Sequence, residues 1–188
     1  EVNLAAIRRR KLKVALDCCN GAGSVACLKL LQKLGCSVEA LNCNPNLSFP
    51  HPPEPIPENL GDLCKTVRAR KADIGFALDA DADRLAIVSE EGVPIGEELT
   101  LALAEKHVLQ EHALINAERK VIVINLSTSK AIEDIAKENG AITIRTKIGE
   151  VHVSEELKNL NGLIGGEGNG GVIYPAIGYN RDGLTGIA

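Results

Sequence analysis

The sequence has no methionine and no tryptophan, and only two phenylalanines and two tyrosines. Proteins that bind nucleic acid draw on stacking aromatics and clustered Lys/Arg. Aromatics at 2% and a net charge of −4 therefore argue against nucleic acid as a partner. No apolar run approaches the roughly 20 residues that a bilayer-crossing helix requires, so no membrane partner is expected. The N-terminal region lacks a secretory leader pattern and is charged from Arg8 to Lys11. The missing initiator methionine suggests a piece of a longer chain. No Cys-x-x-Cys pair occurs among Cys18, Cys19, Cys27, Cys36, Cys43 and Cys64, and their spacings do not suit zinc. Buried free thiols in a reducing cytoplasm are expected instead.

What is present is apolar substance in short pieces. The 188 residues are 45% hydrophobic, enough for one large domain or two small ones. Apolar strands are expected at Lys13–Leu16, Ser37–Leu41, Ile74–Leu78, Leu85–Val88, Val121–Ile124, Ile142–Ile144, Leu163–Ile164 and Val172–Ile173. A helix is expected at Gly21–Leu34, with Lys29, Gln32 and Lys33 sharing one face while Val25, Leu28 and Leu31 lie elsewhere. Another is expected after Asn59 as N-cap, with Leu60, Leu63, Cys64 and Val67 on one face. Further helices are expected from Glu97 to about Gln110, after the Ser127–Ser129 caps, at Val151–Leu160 and from Asp182. The prolines between Asn44 and Pro57 forbid both helix and central strand there.

The same plan occurs twice: strand, helix, strand, helix, strand, polar loop, strand. The two copies share architecture rather than sequence. Alternating β and α segments imply two similar α/β domains, residues 1–96 and 97–188, each a mostly parallel mixed sheet flanked by helices. Ligands of such sheets gather beyond the carboxyl ends of the strands. Two polar loops occupy that position, and a shared cleft between them is the economical arrangement.

The first loop is Asp79-Ala80-Asp81-Ala82-Asp83-Arg84. Carboxylates at i, i+2 and i+4 of an extended segment point the same way and repel unless a cation sits among them. Hard oxygen donors of this kind suit Mg²⁺ or Ca²⁺. Asp79, Asp81, Asp83 and Glu90 also match an EF-hand loop, but Arg84 stands where glycine is needed and the flanks are strands. The second loop, Gly165-Gly166-Glu167-Gly168-Asn169-Gly170-Gly171, permits close backbone approach to a ligand. Its Glu167 can accept hydrogen bonds from sugar hydroxyls, and its Asn169 can donate or accept. Lys147, in Thr146-Lys147-Ile148-Gly149, is either an anion contact or a surface lysine. Gly21-Ala22-Gly23-Ser24-Val25-Ala26, with Glu39 beyond the next strand, offers a dinucleotide-binding alternative, although Asp17-Cys18-Cys19-Asn20 separates the strand from the first glycine. Pro50 and Pro53 have the spacing of an SH3 ligand, but a stiff ordered loop is the simpler expectation. His51 in that loop is a lone histidine that could face the cleft.

Together these residues carry a resemblance. Asp79-Ala80-Asp81-Ala82-Asp83-Arg84 resembles the metal-binding loop of the α-D-phosphohexomutases, the family of phosphoglucomutase, phosphomannomutase and phosphoglucosamine mutase. Gly166-Glu167-Gly168-Asn169-Gly170 resembles their sugar-binding loop. Asn20-Gly21-Ala22-Gly23 and Arg181-Asp182-Gly183-Leu184 are similar to further family segments. The family has four domains around one cleft, and the resemblance covers the second and third. Neither a Ser-His-Asn-Pro nucleophile segment nor a fourth domain occurs in these residues. The first and fourth domains are thus implied as partners, and the isolated piece is expected to be inactive.

The implied activity is an isomerase reaction of carbohydrate metabolism. A phosphoryl group moves between the 1- and 6-hydroxyls of a hexose through a phosphoserine and a bisphosphate. The resemblance implies Mg²⁺ on Asp79, Asp81 and Asp83, with Arg84 on phosphate. It also implies Glu167 and Asn169 on sugar hydroxyls, and Lys147 and Gly149 at the substrate. The commoner sugar loop has Ser where Asn169 stands and His where Gly171 stands. The form here leans towards glucosamine phosphate or mixed specificity. A non-catalytic sugar-phosphate-binding module is the remaining alternative.

Overall fold

The computed structural model describes residues 2–113 and 120–188. Contacts divide the chain into two compact units, residues 1–96 with 187–188, and residues 97–186.

In the first unit, helix α1 (Leu4–Arg10) precedes strand β1 (Lys13–Asp17), helix α2 (Gly23–Lys33), strand β2 (Ser37–Leu41), helix α3 (Gly61–Arg70), strand β3 (Ile74–Leu78) and strand β4 (Leu85–Ser89). The strand order is β2-β1-β3-β4. The first three strands are parallel, and β4 runs antiparallel to β3 in the register Leu78↔Leu85. The second unit runs from helix α4 (Glu97–Ala113) through β5 (Lys120–Asn125), α5 (Ala131–Glu138), β6 (Ala141–Thr146), α6 (Glu150–Leu160), β7 (Ile164–Glu167) and β8 (Gly171–Ile173) to α7 (Gly183–Ile187). Its order is β6-β5-β7-β8, with the same parallel trio and antiparallel fourth strand. The expected doubling of the α/β plan is therefore present down to strand direction.

The sheet of the second unit is covered on both faces, as period-two alternation requires. Ile122, Ile124 and Ile132 pack with Leu101, Leu109 and Ile164, while Val121 and Val123 pack with Val153, Leu157 and Ile173. In the first unit, Leu60, Leu63, Cys64 and Val67 bury the i, i+3, i+4, i+7 face of α3 against Ala15, Ala77 and Val88.

Three local expectations are corrected. Asn59 does not cap α3. It lies in a 3₁₀ turn, Pro57–Asn59, and its side chain donates to the Glu54 carbonyl at 2.9 Å. Leu60 stands at the N-cap without a side-chain bond. In α2, Val25 is 50% exposed, and the packed face runs through Gly23, Ser24, Cys27 and Leu31. Here close approach selects small residues: a Cβ on Gly23 would stand 3.2 Å from Ala82 Cβ and 3.3 Å from Cys27 Sγ. A reading based on hydrophobicity alone passes over such a face. Finally, α1 is a helix that sequence periodicity did not mark. It is short, has no buried residue, and depends on Asn3, whose side chain accepts from the Ala6 N–H at 3.0 Å.

One core group breaks the apolar pattern. Glu105 lies between Leu101 and Leu109 on the same stripe of α4 and is 0% exposed, and neither carboxyl oxygen has a hydrogen-bond partner among the described residues. Burial pushes its pKa up to about 8, because the charged form is the one that loses hydration. The folded chain therefore retains a proton that the unfolded chain releases above its ordinary carboxyl value. This contribution to stability is complete below about pH 4.5 and is lost as pH rises to about 8. Urea melts across pH 5 to 8 should show stability declining with pH. Glu105→Leu should remove that slope and raise stability by about 1–3 kcal/mol.

Candidate functional site

The first group of functional side chains is built on the loop joining β3 to β4. Asp79 follows directly on β3 and is 2% exposed. Its Oδ1 accepts from the backbone N–H groups of Asp83 (3.0 Å) and Arg84 (3.1 Å), and its Oδ2 accepts from Arg84 Nε at 2.6 Å. Arg84 Nε is also 3.8 Å from Asp83 Oδ1. Burial would push the Asp79 carboxyl up. The Arg84 side chain and the loop N–H groups outweigh it and hold the carboxyl below the usual carboxylate range. The loop closes through Ala82, whose φ of 64° is left-handed, a conformation uncommon for a residue with a side chain.

Oxygens of Asp79, Asp81 and Asp83 lie within 4.8 Å of one another. Asp79 is buried, Asp83 half-buried and Asp81 exposed. Three carboxylates at this separation fit a hard divalent cation, because Oδ2 of Asp79 keeps an acceptor direction beyond its one bond and Asp81 is open to solvent. The cation foreseen among the carboxylates is in part already supplied, since the Arg84 guanidinium pairs with Asp79.

The segment before α2 packs under this loop. Ala22 N–H donates to the Ala80 carbonyl at 2.8 Å, and a Cβ on Gly21 would overlap the Ala80 backbone. Gly21 thus serves the approach of the acidic loop, and Glu39 pairs with Arg70 at 3.6 Å. Neither finding favours a dinucleotide. His51 is a tether of the proline-rich segment. Its Nε2 lies 3.3 Å from the buried Asp17 Oδ2, and its Nδ1 lies 2.8 Å from the Pro52 carbonyl.

The second group lies at the carboxyl ends of β5, β6 and β7. A cavity of about 330 Å³ is lined there by Asn125, Ser127, Ile148, Gly149, Glu150, Glu167, Gly168, Asn169 and Arg181. Glu167 is 5% exposed. Its Oε1 accepts from Asn125 Nδ2 (2.7 Å) and Gly149 N–H (3.0 Å), and its Oε2 accepts from Arg181 Nη1 (2.9 Å). Asn125 cannot turn its amide over, because its Oδ1 accepts from Ser127 N–H, Ser127 Oγ and Thr128 Oγ1. Thr128 Oγ1 in turn accepts from Gly168 N–H at 3.1 Å. Asn169 Oδ1 accepts from Gly171 N–H at 3.2 Å, which folds the loop tip.

The structure brings Gly149, Glu167 and Asn169 together in one cavity. Lys147 is exposed and adjoins the lining residue Ile148 without lining the cavity itself. Asn125, Glu150 and Arg181 were not anticipated as site residues. Asn125 closes an apolar strand, which is a positional signal. Arg181 comes from the segment after β8, and nothing in its spacing ties it to Glu167.

Comparison with known proteins places the chain in a family. The chain matches the family model for phosphoglucomutase/phosphomannomutase alpha/beta/alpha domain II over residues 1–92. It matches the model for domain III over residues 96–188. It is 43% identical to a phosphoglucomutase/phosphomannomutase of Thermococcus kodakarensis, covering 97% of this chain and 39% of the relative. It is 39% identical to a probable phosphoglucosamine mutase of Methanopyrus kandleri, covering 92% of this chain and 37% of the relative. The crystal structure of a phosphoglucomutase/phosphomannomutase family protein from Burkholderia thailandensis superposes with a TM-score of 0.83 at 28% identity, covering 97% of this chain and 41% of that one. The chain belongs to the phosphohexomutase family and corresponds to its central domains, spanning about two-fifths of the length of these relatives. Among the described residues, no helix is long and apolar enough to cross a membrane.

The two acidic-loop carboxylates that differ most in burial make a direct test. Asp79→Ala should cost about 3 kcal/mol in thermal or urea unfolding, since it strands the Arg84 guanidinium and two loop N–H groups. Asp81→Ala should stay within about 0.5 kcal/mol. The depressed Asp79 carboxyl contributes stability above the ordinary aspartate pKa, and that stability is lost as pH falls through the folded value. Acid titration of Asp79→Asn should therefore show a shallower loss than the parent.

Proposed function

We propose that this chain forms the metal-binding and sugar-binding parts of a phosphohexomutase that interconverts hexose 6-phosphate and hexose 1-phosphate. The observation that carries the reading is the pair of loops in corresponding places, an acidic triad after β3 and a glutamate-centred cavity after β7, in a chain that matches both central family domains. Asp79, Asp81 and Asp83 hold Mg²⁺, whose preference for compact oxygen donors suits this set. When bound, the ion neutralises negative charge on the phosphoryl group in transfer. Arg84 contributes its planar fork to a phosphate while its Nε remains on Asp79.

In the second unit, Glu167 accepts a hydrogen bond from a sugar hydroxyl at the Oε2 acceptor site that its three donors leave, and Asn169 both donates and accepts. Arg181 holds Glu167 in orientation through its 2.9 Å contact with Oε2. Gly149 offers a backbone approach, and Lys147, extending from the adjoining exposed segment, selects the phosphate end of the substrate. Glucosamine phosphate, or mixed use of glucosamine, mannose and glucose phosphates, is the substrate class. The serine nucleophile and the remaining phosphate contacts come from the first and fourth domains of a parent chain. The six free thiols support a reducing, cytoplasmic setting.

Three measurements test the reading. Titration of the isotope-labelled chain with glucosamine 6-phosphate should move the amide signals of Gly149, Gly168 and Asn169, and Glu167→Gln should abolish those shifts. The 188-residue chain alone should show no mutase turnover. Calorimetry should show Mg²⁺ binding weaker than micromolar, because a phosphoserine oxygen is not among the donors. Asp81→Ala, still folded, should remove that binding. Turnover by the chain alone, or shifts that survive in Glu167→Gln, would sink the assignment.

A further inference from the structure

Gly171 opens β8 opposite Glu167 in the antiparallel ladder, and it is buried. Its backbone does not call for glycine. Gly166 and Gly170 have positive φ, whereas Gly171 does not. The reason for glycine is therefore space. A Cβ at this position would overlap Arg181 Cδ and stand 3.1 Å from Arg181 Cγ and 3.2 Å from Asn169 Oδ1.

Arg181 has little freedom to step aside. Its backbone N–H donates to Glu150 Oε1 at 2.7 Å, and the next N–H, of Asp182, donates to the Val172 carbonyl at 2.9 Å. With its root fixed at both points, the side chain reaches Glu167 Oε2 by crossing the bare face of Gly171. On the way its Nε passes 3.5 Å from Glu150 Oε2. We propose that Gly171 is the positioning residue that admits the Arg181 guanidinium to the cavity, so that a side chain at 171 and a seated arginine at 181 exclude one another.

The consequence is electrostatic. With Arg181 seated, one guanidinium faces the two carboxylates of Glu150 and Glu167. Displaced, it leaves two carboxylates in a half-enclosed cavity and takes one of the three donors from Glu167. A phosphate-bearing ligand then meets uncompensated negative charge. This makes position 171 a determinant of what the cavity accepts, without itself touching the ligand. That second step rests on the sugar-phosphate reading above, whereas the seating of Arg181 does not.

The test uses the whole 188-residue chain and the variants Gly171→Ala, Arg181→Ala and the double substitution. Proton–nitrogen spectra of arginine side chains, assigned with Arg181→Lys, should show the Arg181 Nε–H displaced and slow to exchange in the parent. In Gly171→Ala it should fall at the position of free arginine. In thermal melts Gly171→Ala should lower the midpoint, and the double variant should lie no lower than Arg181→Ala, because the clash has gone. Glucosamine 6-phosphate should bind Gly171→Ala about tenfold more weakly than the parent, a loss of the size of one charge-assisted hydrogen bond. The double variant should be no weaker than either single one.

An unmoved Arg181 signal in Gly171→Ala overturns the proposal. So do melting losses that simply add, or a double variant that fails to fold while Arg181→Ala folds. Parent-like ligand affinity in Gly171→Ala removes the selectivity step. Absence of binding by the parent chain overturns the sugar-phosphate reading, and the spectra and melts still decide the seating.

Discussion

Each unit depends on one buried carboxylate placed where its central strand ends. Asp79 follows β3 at 2% exposure and Glu167 ends β7 at 5%. Each accepts three donors, two of which bind one oxygen, and each is paired with one arginine, Arg84 or Arg181. A carboxylate taken from water without such donors would neutralise rather than stay charged. Glu105 shows that alternative within the same chain, with no donors among the described residues and a pKa pushed up to about 8. The difference between a site carboxylate and a core carboxyl here is the supply of donors, not the depth of burial.

That supply has different sources in the two units. Around Asp79 the three donors are local, from Asp83 and Arg84 within the five residues that follow it, while the loop itself is braced at Ala80 by the segment before α2. Around Glu167 the donors come from three separate elements: the end of β5, the entry to α6 and the segment after β8. A local donor set leaves the Asp79 carboxylate independent of the other strand ends. A distributed one makes the cavity sensitive to the packing of every strand end that lines it. The Asn125 amide, fixed by Ser127 and Thr128, shows how far that dependence extends behind the lining.

The same contrast explains what could be read from the sequence. The α/β doubling was legible because apolar strands such as Ile74–Leu78 and Val121–Ile124 alternate with helices of clear period. The acidic triad was legible because its three carboxylates are neighbours in sequence, although a turn closed by Ala82, and not the extended segment expected, brings them together. Glu167 and Asn169 could be picked out within a glycine-dense loop. Asn125 and Arg181 could not be placed beside them, because only the strand register and the return of the chain after β8 bring them together. The packed face of α2 was misread for a related reason: small residues at close contact carry no hydrophobic signal.

The hairpin between β7 and β8 has a further consequence for how this chain can vary. Glu167 pairs with Gly171, so three residues form the turn and the ladder fixes where they project. Of those three, Gly170 is held to glycine by its φ of 89°, whereas the others can change more readily while the backbone holds its place. A single inserted residue cannot be absorbed in the same way. With a side-chain period of two, a slip of one position would turn β8 over and send Val172, now in the core beside Ile164, to the opposite face. Related chains should therefore differ in the letters of this turn far more readily than in its length. The six-residue acidic loop of the first unit, bounded by Leu78 and Leu85, should be held to length by the same ladder.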